Sequence, residues 1–241
     1  MNMRTVPFLI LGVVFMTTAC MPPDLSLSKN PVLGKLRVGF DIDDTILFSR
    51  DNFLKAPHMS EDPDNVDFGW VNRHDSLYSV IIKPIAELIT FYQSQGHEIY
   101  FITARPGMNG EYVGRHLTRE LGFPVEMGKN LFFSAKKKDP VSGHRFTTKH
   151  ETISLLGLHI FYGDSDTDMV AASVAGVRAV RVVRDQRSVL AYSKNYFGNT
   201  RSSEGGSPYS DDDYRRFLAN GVGPYGETIF PIYLQDKAPQ D

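Results

Sequence analysis

The chain has a single cysteine, Cys20, so it closes no intramolecular disulfide whatever the redox state of its compartment. It also lacks an excess of charge of either sign: a formal net charge of −2 leaves no electrostatic footprint for a nucleic-acid polymer. The basic run Lys136-Lys137-Lys138, with Asp139-Pro140 behind it, reads as a solvated loop. The seven histidines include no pair at metal-ligand spacing, which places each on the surface or in the core rather than on a metal. The apolar stretch at 6–16 is too short to span a bilayer as a helix. What is present is ordinary globular composition, 41% apolar and 22% charged, in a chain of 241 residues, enough for one sizeable domain.

Arg4, the apolar residues 6–16 and Thr17-Thr18-Ala19 supply the three regions of a secretory signal, so residues 1–19 are expected to be removed on export. Cys20 directly after Thr-Thr-Ala resembles a bacterial lipoprotein signal, in which the cysteine becomes the lipid-modified first residue. Thr17 departs from the aliphatic residue usual at its position, and the alternative is a plain secretory cut that leaves a free thiol. Residues 20–35, with three prolines, then read as a tether. A periplasmic or cell-envelope protein is expected, touching a membrane only through a lipid anchor at Cys20.

The rest of the chain is organised around Leu36-Arg37-Val38-Gly39-Phe40-Asp41-Ile42-Asp43-Asp44-Thr45-Ile46-Leu47. A β-favouring apolar run, Arg37 and Gly39 apart, stops at three acids, as a buried parallel strand does when it delivers carboxylates to a sheet edge. Were strand geometry to continue, Asp41 and Asp43 would project to one side and Asp44 to the other. Two carboxylates aimed at one point need a cation between them or a proton on one of them. Either condition suits phosphoryl transfer, with Asp41 attacking phosphorus and Asp43 protonating the leaving oxygen. The plainer alternative is a solvated acidic turn.

Residues 49–75 show neither helical nor strand period, so a lid or binding loop is expected there. Phe53, Phe68, Trp70 and Tyr78 either wall a pocket for a substrate's leaving group or pin that loop to the core. Residues 84–95 have helical spacing ended by Gly96, and 97–102 form a second buried strand. That strand finishes at Thr103-Ala104-Arg105, where a hydroxyl, backbone N–H groups and a guanidinium make either a phosphate cradle or a simple strand exit with a solvated Arg. A helix at 111–121, a short strand at 130–134 and a polar loop at 136–145 follow. Thr147 or Thr148 caps a helix through Leu156, placing Lys149 in its first turn; a cation there opposes the macrodipole, and a bound phosphate would justify it.

A strand at 158–163 runs into a second acid cluster, Asp164-Ser165-Asp166-Thr167-Asp168, and a small-residue helix. Few hard oxygen ligands with room for water and phosphate describe Mg²⁺ better than a closed Ca²⁺ cage; the Gly and Glu of an EF-hand loop are missing. After a strand at 177–183, residues 195–210 read as an insertion and Asp211-Asp212-Asp213 as a helix start. Residues 228–234 suit an edge strand, here or in another subunit.

These clusters come in a fixed order, and together they resemble the haloacid dehalogenase superfamily of phosphotransferases. The closer resemblance is to the bacterial class B acid phosphatases, through residues 40–49, Phe101-Ile102-Thr103-Ala104-Arg105, Thr148-Lys149, residues 161–168 and the ending Gly223-Pro224-Tyr225-Gly226-Glu227. The resemblance covers 36–234. It implies a Rossmann-like parallel α/β sheet sandwiched by helices, a small loop or helical cap at about 49–79, an insertion at about 188–221 and a tail at 235–241. It further implies Asp41 as nucleophile and Mg²⁺ ligand, Asp43 as general acid/base and ligand through its backbone carbonyl, and Asp164 as the remaining carboxylate on the metal. Asp168 would orient metal-bound water or Lys149. Thr103, the amide of Ala104 and Lys149 would hold the phosphoryl oxygens, with Arg105 nearby.

The implied activity is hydrolysis of phosphate monoesters, nucleotides included, through an aspartyl-phosphate that can also pass its phosphate to an alcohol, in a homo-oligomer. Ala104 replaces the family's usual Gly, the 188–221 segment is long, and the lipoprotein-like start replaces a plain periplasmic signal. Two alternatives stand beside this: a class C-like lipoprotein acid phosphatase, which would carry Asp-Glu-Thr in place of Asp43-Asp44-Thr45, and a catalytically silent surface lipoprotein, against which Asp41 and Lys149 are both present.

Overall fold

In the computed structural model, which describes residues 34–59, 66–134, 137–138, 145–146, 148–192 and 228–229, the apolar run before the first acids is strand β1 (Arg37–Phe40), buried from its second residue onward. It lies in mid-sheet, parallel to β4 (Glu98–Thr103) on one side and β8 (Ile160–Gly163) on the other. Beyond them stand β5 (Leu131–Phe133) and, on the opposite flank, β9 (Arg178–Val182) and β10 (Thr228–Ile229). The six strands run in the order β10-β9-β8-β1-β4-β5 with every pairing parallel. The C-terminal run left open between this chain and another subunit therefore pairs here, with β9.

Alternation along the strands sorts side chains onto two faces. Val38, Phe40, Phe101, Ile160 and Tyr162 face a core completed by Ile85 and Ile89 of α3 (Lys83–Ser94) and Val113 and Leu117 of α4 (Gly110–Leu121). Ile102, Phe161 and Ala179 face the other, completed by Ile153 of α5 (Lys149–Leu155) and Met169 to Ala172 of α6 (Asp166–Val174). Gly39, an interruption in the apolar run, falls on this second face: a Cβ there would come within 2.8 Å of the Phe161 ring, so the glycine makes room for an aromatic side chain on the neighbouring strand.

The chain leaves β1 for β4 and β5, then crosses to β8, β9 and β10, so strand order reverses at β1. Open α/β sheets hold ligands at that reversal, beyond the carboxyl ends of the strands. Asp41, Thr103 and Asp164 all lie at those ends.

Two expectations are corrected. Residues 49–75 are not an aperiodic loop: β2 (Leu47–Phe48) and β3 (Val80–Ile81) pair antiparallel, and between them stand α1 (Arg50–Lys55) and α2 (Phe68–Tyr78). The Asp67 side chain caps α2 by accepting from the Trp70 amide at 2.9 Å. The buried residues of α2 are Gly69, Val71, Asn72 and Asp75, so its inward face is largely polar and leaves no apolar period to read. The polar loop at 136–145 likewise contains a short antiparallel ribbon, β6 (Lys137–Lys138) with β7 (Arg145–Phe146), whose two-residue strands are too short to show a period.

Helix α7 (Gln186–Tyr192) follows β9 and occupies the start of the expected insertion. The signal, the tether up to residue 33 with Cys20, most of the 188–221 segment, the Asp211 triplet, the 223–227 turn and the tail lie outside the described residues. Among the described residues no helix is long and apolar enough to cross a membrane.

Candidate active site

The first acid follows β1 directly, and its backbone N–H donates to the Tyr162 carbonyl at 2.8 Å, fixing Asp41 against β8. The strand does not continue through Asp43. Residue 44 takes a positive φ of 55°, and the Ile42 carbonyl accepts from the amides of residues 45–47, so the chain turns away immediately. Asp41 and Asp43 consequently meet different partners.

The Asp41 carboxylate is 4% exposed and accepts from Lys149 Nζ at 2.5 Å; the same ammonium donates to Asp168 Oδ1 at 2.6 Å. Lys149 is the first residue of α5, and its ammonium there is held by these two carboxylates. Asp168 is fixed from its other side by a capping box: its Oδ2 accepts from the Ser165 amide at 3.3 Å, and Ser165 Oγ accepts from the Asp168 amide at 3.2 Å. Gly163 permits this approach, since a Cβ there would lie 2.8 Å from Asp168 Oδ2. Asp164 follows β8, and oxygens of Asp41, Asp164 and Asp168 all lie within 4.8 Å of one another.

Three buried carboxylates share this corner with the Lys149 ammonium and with Arg184, whose Nε donates to Asp164 Oδ2 at 2.5 Å. Burial and the neighbouring charge of Asp168 push the Asp41 carboxyl well above the usual carboxylate range, against the pull of Lys149. Asp164 is also raised, by burial, with Arg184 opposing. Burial lowers the Lys149 ammonium, but Asp168 and Asp41 outweigh it and hold the proton more firmly than usual. The corner is thus short of positive charge, and its donors are hard oxygens; both properties fit a small divalent cation.

Asp43 has 24% of its side chain exposed and is gripped by Arg105, with Nη2 to Oδ1 at 2.5 Å and Nε to Oδ2 at 2.9 Å. Burial works against its charge, yet the Arg105 guanidinium brings the carboxyl below its ordinary value. Its carboxylate is not among the three that cluster. Arg105 is 2% exposed and also donates to Asp75 Oδ2 at 2.5 Å, Asp75 Oδ1 at 3.1 Å and Asn72 Oδ1 at 3.2 Å. Asp75 in turn accepts from Asn52 and Ser79. The guanidinium therefore joins β4's exit to both cap helices, and it is held by carboxylates on both sides rather than solvated. The Thr103 hydroxyl accepts from the Arg105 amide at 3.1 Å, and Ala104 is half-buried beside it.

The four aromatic residues separate. Phe53 lies under Arg105, 5.4 Å from ring centroid to guanidinium carbon, and Phe68 meets it edge-on at 6.1 Å. Trp70 and Tyr78 instead form a stack with His74 along α2, with Lys55 over the Tyr78 ring. Phe53 and Phe68 thus adjoin the Arg105–Asp43 pair, while Trp70 and Tyr78 belong to a separate group.

Sequence reading missed Asp75, Asn72, Arg184 and Arg181. The signal available for the first two was their i, i+3 spacing after Gly69, a helical face written in polar residues. The arginines sit in and just after a strand that reads as ordinary.

A family model described as HAD superfamily, subfamily IIIB (acid phosphatase) matches residues 25–197. A class B acid phosphatase of Salmonella typhimurium is 30% identical over 176 residues, covering 66% of this chain and 68% of that protein. One from a Marinomonas species is 31% identical over 191 residues, covering 72% and 75%. A hydrolase structure from Pseudomonas syringae overlaps 77% of this chain and 99% of its own at 12% identity, with a TM-score of 0.42, too loose to carry an argument.

Proposed function

The chain belongs to the class B acid phosphatases of the HAD superfamily and is a phosphomonoester hydrolase, and from that premise we propose that it works through an aspartyl-phosphate on Asp41. The observation that carries this reading is the buried corner in which Asp41 shares Lys149 with Asp168 and lies within 4.8 Å of Asp164. A carboxylate attacking a phosphate dianion meets electrostatic repulsion. Lys149, fixed 2.5 Å from Asp41, offsets part of it. Mg²⁺ bound by Asp41, Asp164 and the Asp43 carbonyl would supply further positive charge to the phosphoryl oxygens.

In the first half-reaction an Asp41 oxygen forms a bond to phosphorus, the bond to the ester oxygen breaks, and Asp43 gives that oxygen its proton. In the second, Asp43 takes a proton from water as the water oxygen attacks phosphorus, and Asp41 leaves as carboxylate. The Arg105 contact favours ionised Asp43, the form needed in the second step. An arriving phosphate brings negative charge beside Asp43 and raises its affinity for a proton, the form needed in the first. Thr103, the Ala104 amide and Lys149 receive the phosphoryl oxygens, while Arg105 serves mainly to hold Asp43. Asp168 keeps Lys149 in place.

Phe53 and Phe68, beside Arg105, supply an apolar surface for an aryl or nucleoside leaving group, so nucleotides are the proposed substrate class; transfer to a second alcohol uses the same intermediate. The domain spans 36–234 with the cap at 49–79, and Cys20 anchors the exported, oligomeric protein to the cell envelope.

Phosphate release from p-nitrophenyl phosphate and a nucleotide panel, with Mg²⁺ and with EDTA, tests this. Turnover lost with EDTA and in Asp41→Asn, in a protein that still unfolds cooperatively, is the expected outcome. Normal turnover by Asp41→Asn would refute the mechanism.

A further inference from the structure

Both the side chain and the backbone of Asp164 are held by residues of the β9 segment. Arg181, 1% exposed, donates from Nη1 to the Asp164 carbonyl at 2.8 Å and from Nη2 to Asp166 Oδ1 at 2.6 Å. Arg184, three residues on and 8% exposed, donates from Nε to Asp164 Oδ2 at 2.5 Å. That bond holds one oxygen of the Asp164 carboxylate from the β9 side. Arg184 Nε also lies 3.6 Å from Asp44 Oδ2, and Ser188 of α7 donates to Asp44 Oδ1 at 2.9 Å. Asp44 is 1% exposed and sits in the turn that follows Asp43. The start of α7 is thereby tied to both acidic loops at once.

A cation beside a metal ligand opposes metal binding by repulsion, so a charge alone would be an odd device here. Asp44 offsets part of the Arg184 charge, and the Nε–H bond to Asp164 Oδ2 fixes the rotamer of that carboxylate. Taking Asp164 as a metal ligand, as proposed above, we infer that Arg184 is a positioning residue for divalent-cation binding, acting through its Nε–H on Asp164, with α7 secured to the site through Ser188 and Asp44. Hydrogen-bond partners of metal ligands commonly govern affinity in this way.

The bonding atom makes the test sharp. Gln places its Nε2 where Arg has Nε, keeping the donor and removing the charge. Lys keeps the charge but has a carbon at that position. Isothermal titration of Mg²⁺ into the metal-free full chain should find Arg184→Gln within about threefold of wild type and Arg184→Lys weaker by about tenfold or more. In turnover, Arg184→Lys should need correspondingly more Mg²⁺ for half-maximal rate while recovering most of its kcat at saturation. The reverse order of affinities, equal affinities in all three proteins, or a glutamine variant that does not fold would each overturn the inference, because charge or mere packing would then be the role of Arg184. A wild-type protein that takes up no Mg²⁺, or an Asp164→Asn variant that binds it like wild type, would instead defeat the underlying metal assignment.

Discussion

The two sides of the site solve opposite electrostatic problems. On the sheet side, Asp41, Asp164 and Asp168 crowd together around Lys149, and two of the three carboxyls are pushed upward by burial and mutual repulsion. On the cap side, Asp43 and Asp75 flank the Arg105 guanidinium in paired hydrogen bonds, and Asp43 is pulled downward. On both sides the carboxylates outnumber the cations by one, but on the second both oxygens of Asp43 and of Asp75 accept from the one guanidinium, whereas on the first a single ammonium is shared between Asp41 and Asp168. Hard oxygens that share one ammonium suit a metal and a phosphate, whereas a fully hydrogen-bonded clamp is suited to holding one acid/base group in one place.

The comparison breaks most visibly at Lys149. Lys149→Met leaves Asp41 and Asp168 buried without their shared ammonium, and in EDTA at neutral pH this should cost about 3–5 kcal/mol in urea unfolding. Added Mg²⁺ should restore part of that stability while turnover stays lost; an unchanged unfolding midpoint would mean that the ion pairs contribute nothing. Asp75→Asn attacks the clamp around Arg105. Arg105 keeps Asp43 but loses one charged partner, and the expected loss is smaller, about 2–3 kcal/mol, with little dependence on Mg²⁺. A strong Mg²⁺ rescue of Asp75→Asn would erase the distinction between the two sides.

The smallest effect concerns His116 of α4, whose charge interactions reach Asp75 and Arg105 of the cap side as well as Glu120 and Arg119 on its own helix. Its Nε2 has no hydrogen-bond partner among the described residues, and burial pushes the imidazolium below its ordinary value of 6.5. The folded protein favours the neutral ring, so this contribution to stability is whole above about 6.5 and is lost as pH falls through the folded value. His116→Gln should flatten the decline of unfolding free energy on acidification by about 1 kcal/mol or less. A steeper decline in the variant would reverse the assigned sign.

The sheet side was legible in the sequence because its residues obey one rule: an apolar run stops, and an acid or hydroxyl stands at the stop. Asp41, Thr103 and Asp164 follow that rule, and Lys149 stands out by opposing its own helix dipole. The cap side was legible in Asp43 and Arg105 but not in its helix, since three of the four inward residues of α2 are Gly69, Asn72 and Asp75 and carry no hydrophobic period. Arg105 was visible as a residue at a strand end, but its partner Asp75 comes from a helix that sequence periodicity did not show. Arg181 and Arg184 were hidden for a different reason: Arg181 lies in a parallel strand and Arg184 just beyond it, and only the register of β8 beside β9 brings them to the Asp164 loop. The family resemblance supplied roles for the motif residues and nothing about these partners.

The central claim is that phosphate passes through Asp41. Acid-quenching the protein during turnover of a nucleotide, followed by mass spectrometry of the peptide that carries Asp41, tests it most directly. A phosphoryl adduct on Asp41, absent from Asp41→Asn together with turnover, is the predicted result. Sustained turnover with no adduct on Asp41, or with the adduct on another residue, would contradict it.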